Sequence, residues 1–274
     1  MLFASDLDQT LIYSHRSVMS QTSLVHIRPV EWLDDRYISY MTQNALIILK
    51  EISDKTFFVP VTTRTKVQYQ RINLHQYGIL SQYAVTSNGG TIFNRGVEDE
   101  DWKQHVLAGR DHCLAADDLV EKFEELAHPS WVFKGSGKMA DDLFYYCLID
   151  REKIPHAELA AFKLWVNKNN WELSVQGRKL YLVPKNVNKK VAIQYIQEKE
   201  GLKRVVAAGD SLLDLEMLKG ADLALAPAHG ELFCIYSQEG SGNEEIKFTQ
   251  KSGIKAADEI LECVKGLLLK RVVV

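Results

Sequence analysis

Leu2-Phe3-Ala4-Ser5-Asp6-Leu7-Asp8-Gln9-Thr10, near the start of the 274-residue chain, sets a short apolar run directly before two carboxylates one residue apart. A run this short and continuous is the pattern of a strand buried on both faces, as in a parallel sheet covered by helices. Ligands of such sheets bind at the carboxyl ends of the strands. Two carboxylates at such an end repel one another unless a positive charge stands between them. A hard divalent cation with oxygen ligands relieves the repulsion, and magnesium is the usual ion beside phosphate. A lone pair of this kind is also what a solvated acidic turn looks like, so the rest of the chain must decide.

The same apolar pattern recurs at Phe57–Val61, Ala84–Thr86, Val205–Ala208 and Leu223–Ala226. Helical spacing lies between several of these runs: over Asn44–Ile52, with Thr42 as N-cap, over Val191–Glu200 and Leu212–Leu218, and finally over Ala256–Leu269. Alternating strands and helices predict an α/β core, a Rossmann-like doubly wound parallel sheet. Between Leu24 and Met41, alternation on either side of Asp34-Asp35 predicts a β-hairpin just after the first strand. Residues 89–185 change character and hold most of the tryptophans. Helices over Asp117–Ala127 and His156–Asn167 are expected, with strands at Trp131–Lys134, Leu143–Ile149, Trp171–Gln176 and Lys179–Val183. That is an α+β domain inserted into a discontinuous core of residues 1–88 and 186–274.

Three further stretches carry chemistry. In Val205-Val206-Ala207-Ala208-Gly209-Asp210-Ser211-Leu212-Leu213-Asp214, Gly209 permits a tight turn and Asp210 stands at a strand end. Asp214, four residues on, falls on the same helix face. Helix capping explains one of these acids more easily than both. In Val61-Thr62-Thr63-Arg64-Thr65, a strand-end hydroxyl can donate to a phosphate oxygen or cap a helix. Asn188-Lys189-Lys190 opens an amphipathic helix, where a surface lysine is the ordinary expectation.

Together, in this order, the four stretches resemble the haloacid dehalogenase-like hydrolase superfamily: D-x-D-x-T, a strand-end Thr, a Lys at a helix start, then G-D-S-x-x-D. The insertion between the Thr and the Lys is similar to the large-cap (C2, type IIB) branch, which includes Cof-like and sucrose-phosphate phosphatases. Val85-Thr86-Ser87-Asn88-Gly89-Gly90 resembles their crossing from core to cap. The resemblance implies a magnesium-dependent phosphatase acting on a small phosphorylated metabolite, a sugar phosphate first, through an aspartyl-phosphate intermediate. It makes Asp6 the nucleophile and Asp8 the general acid and base. Metal ligands would be Asp6, Asp8 through its carbonyl and Asp210, with Asp214 either a further ligand or a support behind them. Thr62 and Lys189 would neutralise the transferring oxygens, Lys189 rather than Lys190 fitting the family pattern. Thr63, Arg64, Asn88 and, in the insertion, Arg178 complete the expected substrate contacts. Gln9 and Thr63 stand where the family usually has glycine, and Leu213 where it often has Asn. A phosphomutase uses the same intermediate and shares these motifs. A catalytically silent binding module is the other alternative, although every charged position is retained.

Bulk properties limit the remaining choices. Net charge is −3, with 33 basic residues spread along the chain, so neither nucleic acid nor a membrane surface is an expected partner. Four cysteines at unrelated spacings give no zinc or disulfide framework. No signal-peptide pattern opens the sequence and no stretch approaches a ~20-residue membrane span, so a cytoplasmic protein is expected. Lys134-Gly135-Ser136-Gly137-Lys138 is glycine-rich, but Met139 follows the lysine and the P-loop pattern fails. It reads as a turn. The motifs leave oligomeric state and substrate identity open.

Overall fold

The computed structural model describes residues 1–19, 26–239 and 245–269. Two compact units divide the chain: Met1–Glu98 with Lys189–Val274, and Asp99–Asn188. In the first, β1 (Leu2–Ser5) is followed by a hairpin of β2 (Ile27–Leu33) and β3 (Arg36–Thr42), then by α1 (Gln43–Ser53) and β4 (Phe57–Pro60). After the second unit come α2 (Lys189–Lys199), β5 (Val205–Ala208), β6 (Leu223–Ala226), β7 (Ile246–Phe248) and α3 (Ile254–Leu269). The five-stranded sheet has the order β7-β6-β5-β1-β4 with every pair parallel.

The register explains where chemistry can sit. Ser5 of β1 pairs with Pro60 on one side and Ala208 on the other. The residues that follow, Asp6, Val61-Thr62 and Gly209-Asp210, therefore leave the sheet side by side at its carboxyl edge. Here the chain runs to opposite sides of β1, which opens the crevice where such sheets bind ligands. The strands are held from both faces because all four residues of β1 and of β5 are buried. α1 covers one face with Ala45, Leu46, Ile48, Leu49 and Ile52, at helical spacing, sharing a core with Phe3, Phe58, Val206 and the Ile260, Leu261 and Val264 face of α3. Thr42 caps α1, its hydroxyl accepting from the Ala45 amide at 2.8 Å.

The hairpin turns through Asp34 and Asp35, both left-handed at φ +46° and +57°. Two-residue hairpin turns need this conformation, and Asp tolerates it better than most side chains. Leu24, expected within the hairpin, lies outside the described residues. One strand is placed differently from the sequence expectation. Ala84–Thr86 belongs to Tyr83–Thr86, which pairs antiparallel with Thr91–Asn94 and meets the parallel sheet through one bridge, Val61 to Val85. The fifth parallel strand is instead Ile246–Phe248, too short and too mixed to announce itself. Because Thr91–Asn94 pairs with Tyr83–Thr86, residues 89–98 group with the first unit.

The second unit is an antiparallel sheet in the order Trp171–Gln176, Lys179–Pro184, Phe144–Leu148, Lys138–Ala140. Helices Ala116–Glu124 and His156–Lys168 share its core through Leu119, Phe123, Phe162 and Val166. Trp131–Lys134 is not a strand; Val132 makes one isolated bridge to Ile149, and its neighbours run in turns. Glu100–Arg110 forms a helix the sequence reading left out, capped by Asp99, which accepts from the Trp102 amide. Among the described residues no helix is long and apolar enough to cross a membrane.

Candidate active site

Asp6 leaves β1 with its amide bonded to the Ala208 carbonyl at 2.8 Å, which fixes the acid against β5. The chain then turns sharply: Leu11 and Ile12 both donate to the Leu7 carbonyl. Gln9 sits at φ +62°, the conformation for which glycine is the default. The Gln9 carbonyl is held by His229, whose Nε2 lies 3.0 Å away while its Nδ1 accepts from the Gly253 amide at 2.9 Å. Burial lowers the His229 pKa, which suits the neutral ring this pattern requires, with the proton on Nε2.

Lys189, at the first turn of α2, is only 2% exposed. Its Nζ donates to Asp6 Oδ1 at 2.7 Å and to Asp214 Oδ1 at 2.6 Å. Burial alone would lower the lysine pKa, but Asp214 and Asp6 more than offset it, and the ammonium is held charged. Asp214 is fully buried and saturated. Its Oδ2 accepts from the amides of Asp210 and Ser211 and from the Ser211 hydroxyl. Asp214 thus shapes the loop after β5, and the loop leaves no room for a side chain at Gly209. A Cβ there would stand 2.4 Å from the Asp214 Cβ. Gly230 is constrained likewise, since a Cβ there would stand 2.6 Å from the Asp210 carbonyl oxygen.

One carboxylate oxygen from each of Asp6, Asp210 and Asp214 lies within 4.8 Å of the others. Burial, opposed by Lys189 and reinforced by Asp214 and Asp8, pushes the Asp6 carboxyl up to about 7. Burial, then Asp6 and Asp214, raises Asp210 well above the carboxylate range. Clustered oxygens whose negative charge is disfavoured are the donor set that a hard divalent cation fits. Asp6 and Asp210 suit direct ligation, whereas the hydrogen bonds of Asp214 suit it to orienting the others.

On the other side, Thr62 is buried at the end of β4, its hydroxyl oxygen accepting from the Arg64 amide at 3.1 Å. Arg64 forks onto Asp8, Nε to Oδ2 at 2.7 Å and Nη2 to Oδ1 at 2.8 Å. Its Nη1 donates to Glu31 of the hairpin at 2.6 Å. Buried Asn88, at φ +58°, donates its amide to the Thr62 carbonyl at 3.0 Å. Thr63 is half-buried. The structure thus gathers Asp6, Asp210, Asp214 and Lys189 in one hydrogen-bonded and charge-coupled group, and joins Asp8, Arg64, Thr62 and Asn88 in another beside it. Arg178 belongs to the second unit, its guanidinium 5.2 Å over the Phe133 ring. Lys190 is half-exposed and lies 3.6 Å from Glu216. Glu31, Ser211 and His229 were not singled out by sequence. A histidine and glycine directly after a strand run, as in Ala226-Pro227-Ala228-His229-Gly230, was the available signal for one of them.

The chain is similar to known proteins in sequence family and in fold. Residues 1–265 match the sucrose-6F-phosphate phosphohydrolase family. No curated protein sequence matches the chain. Among solved structures, a Synechocystis sucrose-phosphatase in complex with sucrose and phosphate is similar at 17% identity and a TM-score of 0.65, covering 96% of this chain and 97% of that one. A haloacid dehalogenase-like hydrolase from Bacillus subtilis is 15% identical, with a TM-score of 0.55 and coverage of 97% and 91%. The Aspergillus fumigatus trehalose-6-phosphate phosphatase is 12% identical, with a TM-score of 0.51 and coverage of 97% and 92%. These likenesses show a common fold, and the match over residues 1–265 shows the family: the chain belongs to the sucrose-6F-phosphate phosphohydrolase family and is a phosphatase of the haloacid dehalogenase-like fold.

Proposed function

We propose that the protein hydrolyses a sugar phosphate by way of a phosphoryl group carried on Asp6, with magnesium bound by Asp6, the Asp8 carbonyl and Asp210. The observation that carries this reading is the setting of Asp6. It is a carboxylate at the sheet's carboxyl edge, 6% exposed, sharing one buried ammonium with Asp214. A magnesium ion supplies charge neutralisation for the phosphate and for the crowded carboxylates.

The chain's own groups account for the remaining steps. Lys189 holds Asp6 Oδ1, which leaves Oδ2 to attack phosphorus in line with the departing sugar oxygen. The P–O bond to the sugar breaks as Asp8 gives its proton to the leaving alkoxide. Asp8, now a carboxylate, takes a proton from the water that attacks phosphorus. The Asp6–phosphorus bond breaks, and inorganic phosphate leaves with both acids restored. Since the Thr62 oxygen accepts from the Arg64 amide, its own O–H can donate to a phosphoryl oxygen. Phosphoryl transfer depends mostly on such positioning and charge stabilisation. Selectivity for the sugar is assigned to the inserted unit, Arg178 included.

A panel of phosphorylated metabolites tests the reading, with sucrose 6-phosphate, trehalose 6-phosphate and hexose phosphates first. Magnesium is added or chelated, and released phosphate is measured. Phosphate release that requires the cation is expected. Undiminished release in excess chelator contradicts the cation's role, and isomer formation without release makes the protein a mutase.

A further inference from the structure

We infer that Glu31 is a positioning residue for proton transfer, fixing the Arg64 guanidinium and through it the Asp8 carboxyl. The inference rests on the role given to Asp8 above. Glu31 lies in the hairpin strand β2, yet it is 1% exposed. A buried acid is strongly disfavoured unless it is paired and hydrogen-bonded. Arg64 Nη1 meets it at 2.6 Å, the Ser39 hydroxyl donates to it at 2.5 Å, and Arg71 Nε stands 3.6 Å away. The pairing of β2 with β3 shifts register on both sides of Glu31, between Pro29 and Glu31 and between Glu31 and Trp32. Irregularities of this kind re-aim a side chain and gather next to active sites. Here the re-aimed side chain is the one that reaches Arg64.

The fork that Arg64 forms on Asp8 then has its third edge anchored. A free arginine samples many rotamers, and fixing it costs entropy. Held by Glu31, the guanidinium presents a fixed plane to both Asp8 oxygens, and each oxygen keeps a second lone pair for the transferring proton. The hairpin thereby contributes a buried side chain to the Arg64–Asp8 pair. Positions supported in this way hold a reacting group within a few tenths of an ångström.

The test compares the sugar phosphate that the wild-type protein cleaves fastest with 4-nitrophenyl phosphate. The nitrophenolate leaves without a proton, whereas a sugar alkoxide needs one. In Glu31→Ala, kcat/KM for the sugar phosphate should fall about tenfold or more, within the range general acid catalysis contributes. For the aryl phosphate kcat/KM should stay within about twofold, while kcat and KM fall together because hydrolysis of the phosphoenzyme also uses Asp8. Glu31→Gln keeps an oxygen acceptor for Arg64 and should recover most of the loss. Ser39→Ala removes the hydroxyl that donates to Glu31 and should show the Glu31→Ala signature in weaker form. Retained aryl phosphatase activity reports folding, and if Glu31→Ala does not fold, the other two variants decide. Equal losses of kcat/KM on both substrates, or no loss on either, overturn the inference alone. A wild-type protein inactive on every phosphate ester overturns the functional reading as well.

Discussion

Replacing Lys189 by methionine removes the ammonium that Asp6 and Asp214 share, while keeping the length and most of the volume of the side chain. The two contacts are 2.7 and 2.6 Å, and lysine, Asp6 and Asp214 are all buried. Unit charges 4 Å apart attract by about 4 kcal/mol at an effective dielectric of 20, before the cost of taking them out of water. Removing one partner of a buried pair costs about 3–5 kcal/mol, because the other charge is left uncompensated. Here two carboxylates are stranded, so the expected loss lies near the top of that range. That is a large fraction of a domain's usual stability, roughly 5–15 kcal/mol. The sign with pH follows from Asp6, which burial already pushes up to about 7. Without the lysine it rises further, the acid is protonated over a wider range, and the destabilisation grows as pH increases. Urea unfolding of Lys189→Met at about pH 5 and about pH 8 measures both effects, with Lys190→Ala as control. Lys190 is half-exposed and 3.6 Å from its acid, so its loss should cost less than about 1 kcal/mol. A Lys189→Met change below about 1 kcal/mol at both pH values, or a larger cost from Lys190→Ala, would refute the reasoning.

Three further outcomes follow from the geometry. The Asp6 carboxyl at about 7 stands above the unfolded value of about 3.9, so the folded cation-free protein holds a proton that the unfolded chain releases, and stability falls as pH rises between those values. The rise in Tm on adding magnesium should therefore be larger at about pH 7.5 than at about pH 5; an equal or smaller rise at the higher pH contradicts the shared site. Gly209→Ala places a methyl 2.4 Å from the Asp214 Cβ, which should cost about 1–3 kcal/mol and most of the activity, and a fully active, equally stable variant would show that the loop can relax. Arg178→Ala should change kcat/KM among sugar phosphates more than for 4-nitrophenyl phosphate, and equal behaviour on all substrates would return Arg178 to its packing on Phe133.

The parts of the site that lie within a few residues of one another were legible in the sequence. Asp6 and Asp8 follow a buried strand, and Asp210 and Asp214 share one turn, so local pattern marked them as candidates and the order of the motifs raised them above an acidic turn or a cap. Lys189 could be chosen over Lys190 only by resemblance, since its partner Asp6 is 183 residues away. Glu31 was hidden for the opposite reason. A charged residue in a hairpin strand normally faces water, and only the register shifts that turn it toward Arg64, 33 residues on, give it a partner. In the fold, Tyr83–Thr86 was recognisable as a buried strand, but burial does not encode direction, and its partner Thr91–Asn94 is polar at both ends. The helix Glu100–Arg110 buries only Trp102 and Val106, a stripe too thin to stand out among charged residues.

The nucleophile can be identified directly. Asp8→Asn removes the base that activates water but leaves Asp6 able to attack a substrate with a good leaving group, so the phosphoenzyme should accumulate. Mixing this variant with 4-nitrophenyl phosphate and magnesium, quenching in acid and reducing with borohydride converts an aspartyl phosphate into homoserine. Peptide mass spectrometry then reads the position. Homoserine at residue 6, absent when Asp6→Asn is added to the same protein, is the result expected. Phosphate or homoserine at another residue, or normal turnover by Asp6→Asn alone, would contradict the assignment of Asp6 as the group that carries the phosphoryl.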